Sequence, residues 1–180
     1  MFDSKVNLHH NRAVNMAIAH TLPPNSGLFR DVAILVVDND RDNRELHAFL
    51  LECYGAKVTT TDSIKAALEL LNGYTPALLV CEIRFMGERV DPLLQRVKDL
   101  TRHTGRTIPI MVTSTCPLAR LTQPLPVAVE AYLLKPIDLN YFVSKIWNLI
   151  YLSSITALPS IQDVANQNSD KSLPCLTGVS

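Results

Sequence analysis

The sequence Val32-Ala-Ile-Leu-Val-Val-Asp-Asn-Asp40 joins an apolar run to a polar cluster. The run is continuous and rich in β-branched residues, which predicts a β-strand covered on both faces. Asp40 is suited to cap the helix that follows, and Gly55 is suited to end it in a left-handed conformation. We expect this helix to turn a set of apolar residues at helical spacing toward the core: Leu46, Phe49, Leu50 and Cys53.

Strand-like and helix-like patterns alternate along the rest of the central region. The later predicted strands are Lys57–Thr60, Ala77–Ile83, Ile108–Thr113 and Ala131–Leu134, and the later predicted helices are Ser63–Leu71, Asp91–Thr101 and Leu139 to about Tyr151. Pro117, Pro124 and Pro126 predict that a helix between the fourth and fifth strands is short, displaced or irregular. The alternation predicts right-handed crossovers and a parallel sheet with helices on both faces.

The chain of 180 residues is predicted to be one domain with two extensions. Residues 1–30 are predicted to form a polar N-terminal extension, in which Ala13–His20 is compatible with a short amphipathic helix that ends before two prolines. The central domain takes residues 31–152, and residues 153–180 are predicted to be a flexible tail. Hydrophobic residues make up 47% of the chain, which is enough apolar material for a substantial core.

Charge and cysteine usage argue against several classes of protein. The formal net charge of +0 offers no basic excess for a nucleic acid or an anionic membrane. The apolar segments are too short to span a membrane, and the first residues lack the pattern of a secretory signal. The four cysteines are scattered, with no pair at zinc-site spacing. We therefore expect a cytoplasmic protein with reduced thiols and no nucleic-acid or membrane partner.

Polar residues stand where the predicted strands end. They are Asp38, Asn39 and Asp40 after the first strand, Glu82 at the third, Ser114 and Thr115 after the fourth, and Lys135 after the fifth. In an open parallel sheet, functional groups gather beyond the carboxyl ends of the strands, so we expect these side chains to converge on one rim. An ion pair between Glu82 and Lys135, with Asp38 alongside, is one arrangement that such a rim allows.

The region from Val32 to about Ile150 resembles a response-regulator receiver domain. The motifs that carry the resemblance are Leu35-Val-Val-Asp-Asn-Asp-Arg-Asp-Asn-Arg-Glu-Leu46, the strand ending at Glu82, Ile108-Pro-Ile-Met-Val-Thr-Ser114 and Tyr132-Leu-Leu-Lys-Pro136. The resemblance implies an α/β, flavodoxin-like (βα)5 doubly wound sandwich. Its five-stranded parallel sheet would have the order 2-1-3-4-5.

In this family, an aspartate at the end of the third strand accepts a phosphoryl group from a histidine kinase, beside a bound Mg2+. By position, the resemblance implies that Glu82 stands at the phosphoacceptor position and that Asp38, Asn39 and Asp40 form the acidic pocket. It also implies that Ser114 and Tyr132 are the switch residues and that Lys135 is the lysine that contacts the phosphoryl group. The metal position would fall on Asp38 and Glu82.

Three departures from the family pattern surround this position. Glu82 is one methylene longer than aspartate, and a displacement of about 1 Å in a reacting group costs on the order of a hundredfold in rate. Asn39 replaces an acid, and an amide is a poorer ligand than a carboxylate for Mg2+. Phe85-Met-Gly87 stands in place of the usual Met-Pro-Gly. We therefore expect Mg2+ binding to be weak or lost, with no cofactor and no catalytic residue.

We therefore expect a stand-alone, atypical receiver that is not an enzyme. It would signal by protein contact, largely without phosphorylation, to a histidine kinase or a downstream effector. The alternative is a conventional Mg2+-dependent phosphorelay receiver. Whether Glu82 imitates a phosphoryl group or only neutralises Lys135 stays open. The last helix is the family's usual contact surface, and a homodimer through it is a further option; we expect Trp147 to face the core there, with Tyr141 and Lys145 exposed.

Overall fold

The computed structural model describes residues 27–85, 87–121 and 123–156. The predicted helix Ala13–His20 and most of the predicted N-terminal extension lie outside the described residues, as do residues 157–180 of the predicted tail. The described ranges include all of the predicted central domain except residues 86 and 122. The boundaries drawn at residues 31 and 152 stay predictions.

Strands and helices alternate along the described residues, as the sequence predicts. The strands are β1 (Ala33–Val37), β2 (Lys57–Thr61), β3 (Leu78–Glu82), β4 (Ile110–Ser114) and β5 (Ala131–Leu134), and the helices are α1 (Arg41–Cys53), α2 (Ile64–Leu70), α3 (Asp91–Thr104) and α4 (Leu139–Thr156). The described part of the β4–β5 connection forms only a 3₁₀ turn, Leu118–Arg120. The expectation of an irregular fourth helix is therefore confirmed.

The sheet has the strand order β2-β1-β3-β4-β5, and all neighbouring strands are parallel. This confirms the order that the family resemblance implies. Strand β1 pairs on both sides, with Ile34 opposite Val58 on one side and Leu78 on the other. Both faces of β1 are buried, since Ile34 and Val36 pack in one core cluster while Leu35 and Val37 pack in the other. This explains why its apolar run is continuous.

Among the described residues, two helices cover each face of the sheet. Helices α1 and α4 enclose the cluster that contains the fully buried Phe29 and Phe142. Helices α2 and α3 enclose the other cluster, in which Leu93 and Leu94 of α3 are fully buried. Since each fully buried apolar side chain of this size contributes roughly 1.5–3 kcal/mol, the two clusters hold the strand ends in fixed positions.

The inward face of α1 was predicted wrongly. Leu46 and Phe49 are 44% and 66% exposed, whereas His47 and Leu51 are buried. The space beneath α1 is filled by aromatic rings from elsewhere in the chain, and the His47 ring stacks on Phe142 with a centroid distance of 4.5 Å. The helix is therefore rotated away from the face that apolar spacing alone indicates.

Helix α4 carries the residues that the sequence assigns to a contact surface. Tyr141 is exposed, as predicted, while Lys145 is half-buried. Trp147 is also half-buried, packs against the core and stacks on Tyr151 with a centroid distance of 5.9 Å. No helix in the described ranges is both long enough and apolar enough to cross a membrane.

Candidate functional site

Four polar side chains converge at the carboxyl ends of the strands, as the sequence predicts. Asp38 directly follows β1, Glu82 ends β3, Ser114 ends β4 and Lys135 directly follows β5. Asp38, Glu82 and Ser114 are buried, and burial of the two acids is uncommon unless each has a partner. The parallel strand order brings these ends to one rim, and close packing beneath them fixes their spacing.

Lys135 joins the two buried acids. Its Nζ lies 2.8 Å from Asp38 Oδ2 and 2.8 Å from Glu82 Oε2. The side chains of Lys135, Asp38 and Glu82 are 11%, 2% and 5% exposed. Because water is nearly excluded, screening is weak, and the attraction between the ammonium and each carboxylate is stronger than in a surface pair.

The carboxylate oxygens that Lys135 does not bind also have donors. Glu82 Oε1 accepts hydrogen bonds from the backbone N–H groups of Ile83 and Arg84, at 2.8 and 3.0 Å. Asp38 Oδ1 accepts one from the backbone N–H of Asp40, at 2.9 Å. All four carboxylate oxygens are therefore occupied, which offsets the cost of burying two acids.

The same contacts set the ionisation of the neighbouring groups. Burial is the largest single influence on the pKa of Lys135 and lowers it, but the hydrogen bonds and charges of Asp38 and Glu82 together outweigh burial and raise the pKa above its ordinary value. Burial, followed by the charges of Glu82 and Asp38, raises the pKa of the Cys81 thiol well above its ordinary value. The site therefore holds a charged lysine beside a neutral thiol.

Asp40 and Asn39 do not join this buried cluster. Asp40 is exposed, and its Oδ1 accepts a hydrogen bond of 2.9 Å from the backbone N–H of Asn43, which confirms that it caps α1. Asn39 is also exposed. Both residues line a shallow cavity of about 380 Å³ above the cluster, together with Asn43, Glu82, Arg84, Thr115 and Lys135.

The side-chain oxygens at this site do not fit Mg2+ as a set of ligands. A Mg2+ ion requires near-ideal octahedral coordination by oxygen atoms. The buried oxygens of Asp38 and Glu82 already accept hydrogen bonds, and the Lys135 ammonium lies between the two carboxylates. Within the described residues, no three His, Cys, Asp or Glu side chains are grouped as metal ligands. An entering ion would have to displace Lys135 from both acids.

Ser114 and Tyr132 meet at Cys116 rather than at the carboxylates. The Ser114 Oγ accepts a hydrogen bond of 3.1 Å from the Cys116 backbone N–H. The Tyr132 hydroxyl donates to the Cys116 carbonyl at 2.5 Å, and its half-buried ring packs against the core. The Lys135 backbone N–H donates to the Ser114 carbonyl at 2.8 Å. Both predicted switch residues are therefore linked through the backbone that follows β4, next to Lys135.

Two residues of α1 at this site were missed by the sequence interpretation. The Arg44 Nη1 donates to the Asp38 carbonyl at 2.6 Å, which ties α1 to the end of β1. His47 is buried, and its Nδ1 has no hydrogen-bond partner among the described residues. Burial lowers the pKa of His47; the charge of Asp38 opposes this effect and the charge of Lys135 adds to it. The one signal in the sequence is that His47 lies four residues before Leu51, a spacing that places both side chains on the same face of the helix.

The loop after β3 is held by a further acid. Glu88 accepts hydrogen bonds from the backbone N–H groups of Ile64 and Lys65, at 2.8 and 3.2 Å, across the start of α2. The altered segment Phe85–Gly87 lies between this anchor and Glu82. The loop that borders the rim is therefore pinned at both of its ends.

Residues 34–147 match the family model of the response regulator receiver domain. The chain is 38% identical over 106 residues to an uncharacterized 14.6 kDa protein in the sodA1 3' region of Leptolyngbya boryana, covering 58% of this chain and 79% of that protein. It is 32% identical over 122 residues to Regulator of RpoS from Escherichia coli (strain K12), covering 67% of this chain but only 35% of that relative. A CheY-like receiver domain from Methanospirillum hungatei shares the fold, with a TM-score of 0.62 and 18% identity over 71% of this chain and 99% of that chain.

Proposed function

The chain belongs to the response regulator receiver domain family, and we propose that it signals through protein contacts, with Glu82 at the phosphoacceptor position and largely without phosphorylation. The observation that carries this proposal is the double ion pair of Lys135. In an ordinary receiver this lysine contacts the transferred phosphoryl group. Here its ammonium is already bound to Glu82 and Asp38, each at 2.8 Å.

The same geometry makes Glu82 a poor acceptor. A carboxylate attacks phosphorus through a free oxygen lone pair, in line with the leaving group. Both Glu82 oxygens are engaged by N–H or ammonium donors. Its extra methylene also moves the carboxylate away from the position that aspartate takes. These hydrogen bonds stabilise the carboxylate charge and so make each oxygen a weaker nucleophile toward phosphorus.

The poor fit of these residues to Mg2+ supports the same proposal. Phosphoryl transfer relies on a cation to neutralise the charge that develops on the transferred oxygens. Asn39 is neutral, Asp40 caps α1, and Asp38 is bound to Lys135. In this account Lys135 supplies the positive charge that Mg2+ would provide.

The pairing of Glu82 with Lys135 imitates part of the phosphorylated state. A receiver with a phosphoryl group has an anion beside this lysine, and Glu82 presents one from the same strand end. Tyr132 is half-buried and bonded to the Cys116 carbonyl, consistent with a switch residue turned inward. In this account the domain is fixed near its active conformation. The competing view is a static scaffold in which Glu82 only neutralises Lys135.

The partner class that fits is a signalling protein, either a histidine kinase or a downstream effector. Helix α4 offers the exposed Tyr141 and the half-buried Lys145 beside Trp147 as a contact surface. A homodimer through the same helix uses the same residues, so a partner and a second copy would compete for it. The cytoplasm is the compartment in which such signalling proteins meet.

NMR spectra of the full chain, recorded with and without Mg2+ plus beryllofluoride, test this proposal. Beryllofluoride imitates a phosphoryl group on a carboxylate. We expect beryllofluoride with Mg2+ to leave the amide signals of Tyr132 and residues 114–117 of the wild type unchanged. The same signals in Glu82→Ala, recorded without additive, should be shifted from their wild-type positions. Shifts in the wild type would favour a conventional receiver. Unchanged signals in Glu82→Ala would favour the static scaffold.

A further inference from the structure

Helix α1 presents an apolar row along one flank. Leu46 and Phe49 are 44% and 66% exposed, and Leu50 and Cys53 beside them are half-buried. Their spacing places all four on one side of the helix, in a strip that runs over about its last two turns. Exposed aromatic and aliphatic side chains in a contiguous row are typical of a surface that binds something.

The chain enters the domain at the C-terminal end of this helix. The Phe29 backbone N–H donates to the Tyr54 carbonyl at 2.8 Å, and the two rings pack edge to face with centroids 6.1 Å apart. Gly27 approaches so closely that its Cα would lie 3.4 Å from a Cβ placed on Gly55. The residues before Gly27 therefore leave from the point where the apolar row ends.

The sequence before this point contains a segment that suits the row. Ala13–His20 is predicted to be an amphipathic helix, and Val14, Ala17 and Ile18 share one face at helical spacing. The six residues between His20 and Gly27 can span up to about 20 Å. Along the axis of α1, Leu46 lies nine residues before Gly55, which is about 14 Å. The connection is therefore long enough for the segment to lie on the row.

Charge at the edges of the row agrees with this arrangement. Asp42 and Glu52 of α1 are exposed and border the apolar strip. The segment carries Arg12 directly before it and has no acidic residue between Asn7 and His20. A weakly basic, apolar segment facing an acid-bordered apolar row is favoured over an arrangement of like charges.

We propose that residues 13–20 dock on the apolar row formed by Leu46, Phe49, Leu50 and Cys53 of the same chain. The docked segment covers Phe49 and the Cys53 thiol. This contact is separate from the charge cluster at the strand ends, so it stands whether or not Glu82 accepts a phosphoryl group. A second copy of the chain on the same row is the main competing occupant.

The rate of Cys53 alkylation in the full chain tests the docking. Replacing Val14 and Ile18 together with Asp removes the apolar face of the segment and leaves the folded domain intact. If the segment is docked about nine-tenths of the time, Cys53 reacts about tenfold faster in this variant than in the wild type. The half-buried Cys116, which lies outside the row, serves as an internal control and should react at the same rate in both proteins.

Three results would overturn the proposal. Equal Cys53 rates in the wild type and in the Val14→Asp, Ile18→Asp variant would mean that the segment does not cover the row. Protection of Cys53 that rises with protein concentration would assign the row to a second copy. Leu8→Asp, a matched change outside the segment, should leave the Cys53 rate unchanged. An increase in Leu8→Asp equal to that of the double variant would also contradict the docking.

Discussion

Lys135 Nζ lies 2.8 Å from Glu82 Oε2, and this contact connects the ends of β5 and β3 through two nearly buried side chains. An ion pair at the surface contributes little because water and salt screen it. A buried pair behaves differently, since removing one partner leaves an unpaired charge in a poorly solvated place. The contact is therefore both a structural tie and the feature that replaces a phosphoryl group in our account.

Removing the charge of Glu82 should destabilise the domain. We expect Glu82→Gln to lower the free energy of unfolding by about 1–3 kcal/mol, because Lys135 keeps Asp38 but loses one of its two charged hydrogen bonds. Urea denaturation measures the change. Glu45→Gln is the matched control, because the Glu45 pair with Arg41 is exposed and should have little effect. Equal losses in the two variants would mean that burial of Glu82 adds nothing.

Removing Lys135 should reveal the metal site that it blocks. Lys135→Met leaves Asp38 and Glu82 without their cation, which costs about 3–5 kcal/mol for a broken buried pair. Mg2+ can then neutralise the two carboxylates, so we expect it to raise the Tm of this variant but not that of the wild type. Lys57→Met, which breaks an exposed pair with Asp31, is the control. A Tm that rises equally with Mg2+ in the wild type would refute the blocking role.

His47 should make stability depend on pH. Because burial lowers the pKa of His47 in the folded state, the unfolded chain binds its proton more readily. The free energy of unfolding should therefore fall as the pH drops below about 6.5, by at most about 1.4 kcal/mol per pH unit for this one group. His47→Phe should flatten the dependence, whereas His103→Gln, at an exposed position, should keep it. An unchanged slope in His47→Phe would show that other groups cause it.

Asp40 should act as a helix cap rather than as a metal ligand. We expect Asp40→Ala to lower the free energy of unfolding by about 1 kcal/mol, because the Asn43 N–H loses its acceptor. Asp40→Asn should be nearly neutral, since asparagine caps as well as aspartate does. Urea denaturation again provides the measurement. If Asp40→Asn costs as much as Asp40→Ala, the negative charge matters and the capping account fails.

Much of the fold and the site followed from the sequence because strand ends are determined by local pattern. Continuous apolar runs located β1 and β3, and the parallel order then brought Asp38, Glu82 and Lys135 together. Asp40 was recognised as a cap because a short acidic side chain directly before a helix is well placed to accept a hydrogen bond from a free backbone N–H of the first turn.

The rotation of α1 could not be predicted in the same way. Apolar spacing favoured a face with Leu46 and Phe49, but the helix turns His47 inward onto Phe142. Phe29, within the segment assigned to the N-terminal extension, also fills the core beneath it. The face that a helix buries depends on side chains brought from distant positions, and a window of local sequence does not contain them.

Uptake of a phosphoryl group is the most direct test of the central claim that the site keeps its charge and has lost the reaction. The full chain is incubated with acetyl phosphate and Mg2+, and its intact mass is measured. Our account predicts that the wild-type mass is unchanged, because Lys135 and backbone N–H groups occupy the Glu82 oxygens. A gain of one phosphoryl group that requires Mg2+ and disappears in Glu82→Gln would contradict it.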